Sequence, residues 1–273
     1  MSSEASPRSR KRRPAASRSG SAKALPGSDR IRVEWLRRVE AEYRSAAITQ
    51  HLVLWLIQIA ASPDLLTMGL RIVQDELTHA DLSHRTYRAA GGAEAPVLAR
   101  ETLSLSRRGD EPLEHDVLRV CVETFCLGET VAVPLFSALR SACVAPAAKR
   151  ALDRVLRDEV RHRDFGWLLL GWLLEHPLGP GMRRLIDAEL PGMFERVLAA
   201  YAADGDAADD AITSEEQAWG LMAVARYGEV LHRCARRDYL PRFAKLGIDG
   251  ERAWQKAISH QPSAFSLEKA PRG

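Results

Sequence analysis

The sequence lacks most of the features that mark membrane, secreted or thiol-based proteins. None of its four cysteines belongs to a C-x-x-C pair, which argues against zinc ribbons, rubredoxin-like modules and disulfide frameworks. No apolar run reaches 18 residues without a charge, so we expect no membrane span. β-Branched residues are sparse, whereas Arg, Ala, Leu and Glu are abundant. Together these absences favour an all-α protein in the reducing cytoplasm.

Charge is distributed unevenly along the 273 residues. Residues 1–30 carry eight Lys or Arg and two acidic residues, so this stretch holds +6 in a chain whose net charge is +3. It is rich in Ser, Ala, Pro and Gly and has little to bury, which predicts a disordered basic tail. Contact with nucleic acid through residues 8–13 is possible in principle, but a solvated tail is the interpretation we favour. Residues 31–273 are then predicted to form one helical domain.

The strongest pattern is an Asp-Glu-x-x-His motif that occurs twice. The first copy spans Asp75 to His79, and the second begins 83 residues later and spans Asp158 to His162. Positions i and i+3 share one face of a helix, so each Glu projects beside its His, as two ligands of one metal ion must. A surface salt bridge is the alternative for each Glu, but the repetition within apolar helical segments favours ligands.

Apolar residues spaced three and four apart predict four long helices in a core bundle over residues 33–175. Residues 91–111 show no clear period, and this connection is longer than the usual bundle turn of about 2–8 residues. It is long enough to cross a bundle from end to end, which favours a ferritin-like order with the second and third helices parallel. The core helices are expected near 33–61, 63–90, 111–141 and 146–175.

A C-terminal helical extension is expected over residues 182–260. The first part looks helical to residue 201 but interrupted at Pro191-Gly192. Thr213 or Ser214 then caps a helix that reaches about Arg237, with Glu216 completing a capping-box pattern.

Two more carboxylates can be chosen by their distance from the turns. The third and fourth helices join near residue 144, so Glu129 lies closer than Glu123 to the level of the second motif. By the same reasoning, Glu42 fits the first motif better than Glu40. Four carboxylates and two imidazoles suit two iron ions, with manganese or a mixed Mn/Fe pair as alternatives, and two divalent ions would balance the charge. The predicted ligands are Glu42, Glu76, His79, Glu129, Glu159 and His162.

Other polar residues near the motifs are candidates for supporting roles. Asp75 and Asp158 can accept the free N–H of a metal-bound His, and Arg161 can pair with either aspartate, although ordinary surface charges are an equal alternative. Glu229 and His232 form a third Glu-x-x-His outside the core helices. They are a possible source of an extra ligand, but a simple exposed pair is the interpretation we favour.

These residues together resemble the ferritin-like diiron-carboxylate superfamily over residues 33–175. The run Asp158-Glu159-Val160-Arg161-His162 is similar to the Asp-Glu-x-Arg-His motif of bacterial multicomponent monooxygenase hydroxylases. The resemblance implies that the Asp before each Glu binds the His of the opposite motif. It also implies a dinuclear non-haem iron oxidase or oxygenase that activates O₂ to oxidise a small or carrier-bound organic substrate. An electron donor protein is expected, and a homodimer is plausible.

Two other functions stay open at this point. One is a ferroxidase or peroxide-scavenging protein of the same fold, and the other is a metal-free helical interaction module with a basic tail. Within the superfamily, Ser83 stands where ribonucleotide reductase small subunits usually place a radical tyrosine, which disfavours that role. Arylamine N-oxygenases use an additional His ligand, for which His232 would be the candidate.

Overall fold

The computed structural model describes residues 27–201 and 211–260, and across these ranges it is helical and without strands. The all-α prediction is therefore confirmed for this part of the chain. Most of the predicted tail, residues 1–26, lies outside it, as do residues 261–273. The four core helices are α1 (Asp29–Gln58), α2 (Pro63–Ala89), α3 (Leu113–Ser141) and α4 (Pro146–Glu175).

Helix α1 begins four residues before the predicted start at Val33. The reason is local, because the Ser28 side chain accepts a hydrogen bond from the Ile31 backbone N–H at 3.3 Å and so caps the first turn. Helix α2 begins at Pro63, where the missing N–H costs nothing. A short turn joins the two helices, which pack closely along their length.

The long connection between α2 and α3 is tied to α1 at two levels. The Val97 N–H donates to Glu40 Oε1 at 3.1 Å, and the Leu105 N–H donates to His51 Nδ1 at 3.0 Å. Glu40 and His51 are eleven residues apart on α1, which is roughly 16 Å along a helix axis. The connection therefore runs along α1 towards its C-terminal end before α3 begins.

Helix α3 contains a π-helical segment, Cys121–Glu129, that ends at the predicted ligand Glu129. The wider π turn changes which side chains face α4. Helix α4 approaches this segment very closely at Gly166, where a Cβ atom would lie 2.6 Å from the Phe125 Cβ. The Tyr239 hydroxyl donates to the Leu127 carbonyl oxygen at 2.7 Å and so satisfies a buried acceptor of the segment.

In the described residues after the core, four further helices follow: α5 (Gly179–Ala200), α6 (Ser214–Ala218), α7 (residues 224–245, with a π turn at Ala235–Tyr239) and α8 (Gly250–Ser259). The Thr213–Glu216 capping box is present, as predicted. The expected interruption of α5 at Pro191 was wrong, since neighbouring Leu190 and Phe194 are fully buried and tertiary packing carries the helix through. The helix expected over 214–237 is instead divided at Gly220, whose φ of 81° suits glycine.

An aromatic cluster joins the C-terminal helices to the core. The ring centroid of Phe194 lies 5.1 Å from that of Trp254 and 6.0 Å from those of Tyr239 and Phe243. Phe243 in turn meets Trp167 of α4 edge to face at 4.9 Å. Such edge-to-face contacts add to the free energy gained from apolar burial.

Among the described residues, one helix is long and apolar enough to cross a membrane. It is Leu113–Ser141, which is α3. Length and composition are weak evidence, because a buried core helix of a soluble protein passes the same test, and part of α3 is buried in this way.

Candidate metal centre

Six side chains from the four core helices meet in the interior. His79 Nδ1 lies 3.7 Å from Glu42 Oε2 and 3.4 Å from Glu76 Oε2. His162 Nδ1 lies 3.8 Å from Glu129 Oε2 and 3.6 Å from Glu159 Oε2. The two imidazole rings are 5.7 Å apart between centroids. The structure thus brings together all the predicted ligand side chains, which are Glu42, Glu76, His79, Glu129, Glu159 and His162.

Glu76 and Glu159 lie between the two histidines. Glu76 Oε1 is 3.5 Å from His162 Nδ1, and Glu159 Oε1 is 4.0 Å from His79 Nδ1. Each of these carboxylates therefore approaches both imidazoles, one through each oxygen. Of the two imidazoles, Glu42 lies near only that of His79, and Glu129 lies near only that of His162. The cluster consequently divides into two similar halves that share two central carboxylates.

The inward-facing atoms lack hydrogen-bond partners. His79 Nδ1, His162 Nδ1, Glu76 Oε2 and Glu159 Oε2 are buried and unpaired in the structure. A buried polar atom without a partner costs about 1–3 kcal/mol, so four of them at one place are unfavourable unless something else binds them. All four atoms are acceptors or potential electron-pair donors, which is what a cation requires.

The spacing of these atoms fits metal ions. Two ligand atoms that each lie about 2.1 Å from one ion are roughly 3 to 4 Å apart. Ligand atoms of Glu42, Glu76 and His79 lie within 4.8 Å of one another, and so do those of Glu76, Glu129 and His162. Oxygen and imidazole donors without thiolate suit iron or manganese. The residues present therefore fit two such ions.

Burial opposes the fully ionised cluster. It raises the pKa of Glu42 to about 7, and it raises the pKa of Glu159, where the charge of Glu129 adds to the effect. Burial alone would lower the pKa of His79, but the nearby carboxylates of Glu42 and Glu76 outweigh it and raise the pKa to about 11. Protons thus balance the carboxylates when no cation does, and metal binding has to displace them.

The outer nitrogen of each His faces the Asp of the opposite motif. His79 Nε2 lies 3.2 Å from Asp158 Oδ2, and His162 Nε2 lies 3.6 Å from Asp75 Oδ2. The first is a hydrogen bond, and the second is an ion-pair distance. This is the crossed pairing that the resemblance implied. An acceptor at Nε2 places the proton there and leaves Nδ1 free to face the cluster.

Arginines hold both aspartates ionised. Arg161 Nη2 lies 2.9 Å from Asp75 Oδ2 and 2.6 Å from Asp158 Oδ1, so it pairs with both rather than with one. Arg154, which the sequence reasoning missed, also pairs with both. Although burial opposes it, the nearby His162 ring and the hydrogen bond from Arg161 bring the pKa of Asp75 well below its usual range. Spacing offered a signal, because Arg154 precedes Asp158 by one helical turn.

Ser45 is a second contact that the sequence did not single out. Its hydroxyl donates to Glu76 Oε1 at 2.8 Å and so fixes that carboxylate from α1. It stands three residues after Glu42 on the same face, and a small polar residue beside an apolar stripe was the available signal.

The two carboxylates that were not predicted as ligands, Glu123 and Glu40, have other partners. Glu123 is partly exposed and pairs with Arg196, and Glu40 accepts the Val97 N–H. The possible extra ligands, Glu229 and His232, are both exposed. Glu229 is exposed and pairs with Arg226, while His232 contacts the Trp254 ring edge to face at 5.6 Å. Both belong to α7, whose face towards the core is apolar.

Comparison with known proteins gave no family assignment, since neither a protein-family model nor a curated protein matches this chain.

Proposed function

We propose that this chain is a dinuclear non-haem iron oxidase or oxygenase that uses O₂ to oxidise a small or carrier-bound organic substrate. The observation that carries the proposal is the pair of buried, unpaired Nδ1 atoms, each within 4.0 Å of the same two carboxylates. In a stabilising ion-pair network, the Nδ1 and carboxylate oxygen atoms would hydrogen-bond to one another. In this cluster they converge on one place without hydrogen bonds. The folding cost is understandable if cations bind there.

A ferritin-like bundle with a crossover is part of the same proposal. The connection after α2 is hydrogen-bonded to α1 first at Glu40 and then at His51, so it travels back along the bundle. Helix α3 would then start at the end where α2 also starts, and the two would run parallel. This order allows each helix to contribute one part of the cluster.

The residues have distinct proposed roles. Glu76 and Glu159 would hold the ions together with Glu42 and His79 in one half of the cluster and with Glu129 and His162 in the other. Bound iron would supply redox chemistry with O₂ that no side chain provides. Asp75, Asp158 and Arg161 orient the imidazoles. The buried walls exclude water from the cluster, and an electron donor protein would complete the turnover.

Iron content tests the proposal. The full chain, loaded with Fe(II) without oxygen and then desalted, should retain about two irons per chain, and the Glu76→Ala/Glu159→Ala double variant should retain none. Glu123→Ala/Glu40→Ala is the matched control, because it removes two carboxylates from α3 and α1 outside the cluster. A folded wild-type chain that retains neither iron nor manganese would refute the proposal.

The same measurement separates the ferroxidase alternative. Continued uptake of many irons per chain after air is admitted would indicate storage or ferroxidase activity, and an occupancy fixed near two would favour the oxygenase. The metal-free interaction module predicts no retained metal, and its contact region at residues 8–13 lies outside the described residues.

A further inference from the structure

Helices α1 and α2 expose large apolar side chains to solvent. Five of them are between 38% and 56% exposed, which is unusual for residues of this size in core helices. Soluble monomers rarely keep a large contiguous apolar patch in contact with water, and such patches mark interaction sites. The surface that these residues form, called the outer face below, consists of Tyr43, Leu54, Ile57, Leu70 and Leu77.

The spacing of these residues places them in one stripe on each helix. On α1, Leu54 and Ile57 follow Tyr43 by eleven and fourteen residues, and on α2, Leu77 follows Leu70 by seven. Residues at these intervals return to the same side of a helix with the 3.5-residue repeat that is typical of helix–helix interfaces. The intervening positions of the two stripes are uncharged and are Ala47, Gln50 and Val73.

The two stripes adjoin each other. Helices α1 and α2 are antiparallel and joined by a short turn, so residues equally far from the turn lie at the same level. By this count Leu77 is level with Tyr43, and Leu70 lies within one helical turn of Leu54. Helix α4 contacts α2 at Asp75, which is on nearly the opposite side of the helix from Leu77, since two residues span about 200°. The outer face is therefore turned away from α4.

The outer face has the size and the composition of a stable interface. Helix α2 has 27 residues and is about 40 Å long, and two adjacent helices are about 20 Å wide, which gives about 800 Å². This is the area that each partner contributes to an interface of standard size. The centre is apolar and a charged pair, Asp81 with Arg85 at 2.8 Å, lies beyond Leu77, as expected for an apolar centre with a polar rim.

We propose that the outer face binds the outer face of a second copy of this chain and so forms a twofold-symmetric homodimer. A second copy presents stripes with the same spacing, so the side chains of one face fit between those of the other. The face is apolar at all times, and a permanent partner removes it from water, whereas a transient electron donor leaves it exposed between encounters. Tyr43 and Leu77 directly follow Glu42 and Glu76, so the dimer covers the helices that supply these candidate ligands.

Sedimentation equilibrium on the full chain without added metal tests the dimer independently of the proposed function. At about 20 µM, above the micromolar limit of interfaces of this size, we expect twice the chain mass of 30.3 kDa. Leu54→Glu/Leu77→Glu places charges at the centre of the interface and should weaken association about 100-fold or more. Leu168→Glu is the matched control, because Leu168 is equally exposed but belongs to α4, and it should remain dimeric. A monomeric wild type, or a double variant as dimeric as the wild type, would overturn the proposal.

Cross-linking keeps the test independent of how well the double variant folds. Gln50 is exposed and lies midway between Tyr43 and Ile57, so a twofold axis through the centre of the outer face places it near its own copy. Gln50→Cys should therefore be joined to a second chain by a short bismaleimide, while the four native cysteines are buried and should not react. Lys149→Cys, exposed at the start of α4, is the control and should stay unlinked. Equal cross-linking of both variants, or none of Gln50→Cys, would contradict a dimer through this face.

Discussion

Two clusters in the interior differ in how their polar atoms are paired. The charged cluster lies among helices α1 to α4, and the aromatic cluster joins α5, α7 and α8 to α4. In the aromatic cluster, the one buried hydroxyl, that of Tyr239, has a partner at 2.7 Å, and the rings fill the space around it. In the charged cluster, four inward-facing atoms have none. The first arrangement favours folding, and the second opposes it. This contrast supports the proposal that the charged cluster serves binding rather than stability.

The largest expected effect separates the two regions by stability. Phe194→Ala removes a fully buried ring between Trp254 and Phe243 and should lower the free energy of unfolding by about 3–5 kcal/mol. Iron retained per folded chain should not change, because the ring packs on Tyr239, Phe243 and Trp254, none of which is a predicted ligand. Denaturant unfolding and metal analysis on the same samples check both expectations. Leu168→Ala on α4, 57% exposed, is the control and should cost less than about 0.5 kcal/mol. Loss of iron from folded Phe194→Ala would contradict the separation.

The sequence revealed the charged cluster better than it revealed the aromatic one. Glu76 and His79 could be found because a helix fixes the relation of positions i and i+3, and Glu129 could be found by counting from a short turn. No local rule connects Tyr239 with Leu127, which lies 112 residues earlier, so that contact required the fold.

The features that the sequence did not predict also depend on tertiary contacts. The local preference of proline predicted a break in the helix at Pro191, but burial of the neighbouring residues keeps α5 continuous. The π segment before Glu129 depends on the approach of Gly166 and on Tyr239, and neither is visible in the local pattern of α3. The cavity lined by Val33, Tyr201 and Tyr227 also depends on tertiary contacts between distant segments.

An intermediate effect, on metal affinity, is expected for the aspartate that orients His79. Asp158→Asn weakens the acceptor that orients His79 and should reduce metal affinity about 10- to 100-fold. Competition with a chelator of known affinity measures this. Asp153→Asn on the same helix is the control, since Asp153 is half exposed and pairs only with Arg140 among the described residues. Equal metal affinity in Asp158→Asn and the wild type would show that the crossed pairing has no part in binding.

The smallest expected effect is a change in stability whose sign depends on whether metal is bound. Glu42→Gln keeps the volume of a buried side chain but removes one negative charge from a cluster in which four carboxylates face two imidazoles. Without metal, the variant should be more stable than the wild type by about 1 kcal/mol, because one buried carboxylate no longer has to lose its water and less repulsion from Glu76 remains. With iron, it should be less stable than the loaded wild type, because a ligand is gone and the linkage between binding and folding weakens.

Thermal midpoints with chelator and with Fe(II) measure both signs of the Glu42→Gln effect. Glu40→Gln is the control two residues away, and its retained Oε1 can still accept the Val97 N–H, so neither midpoint should move beyond the scatter of surface substitutions. A protein in which Glu42→Gln lowers both midpoints equally would have a cluster that serves folding. Opposite signs are the result that only a binding site predicts, since apolar packing cannot make the same substitution favourable without the ion and unfavourable with it.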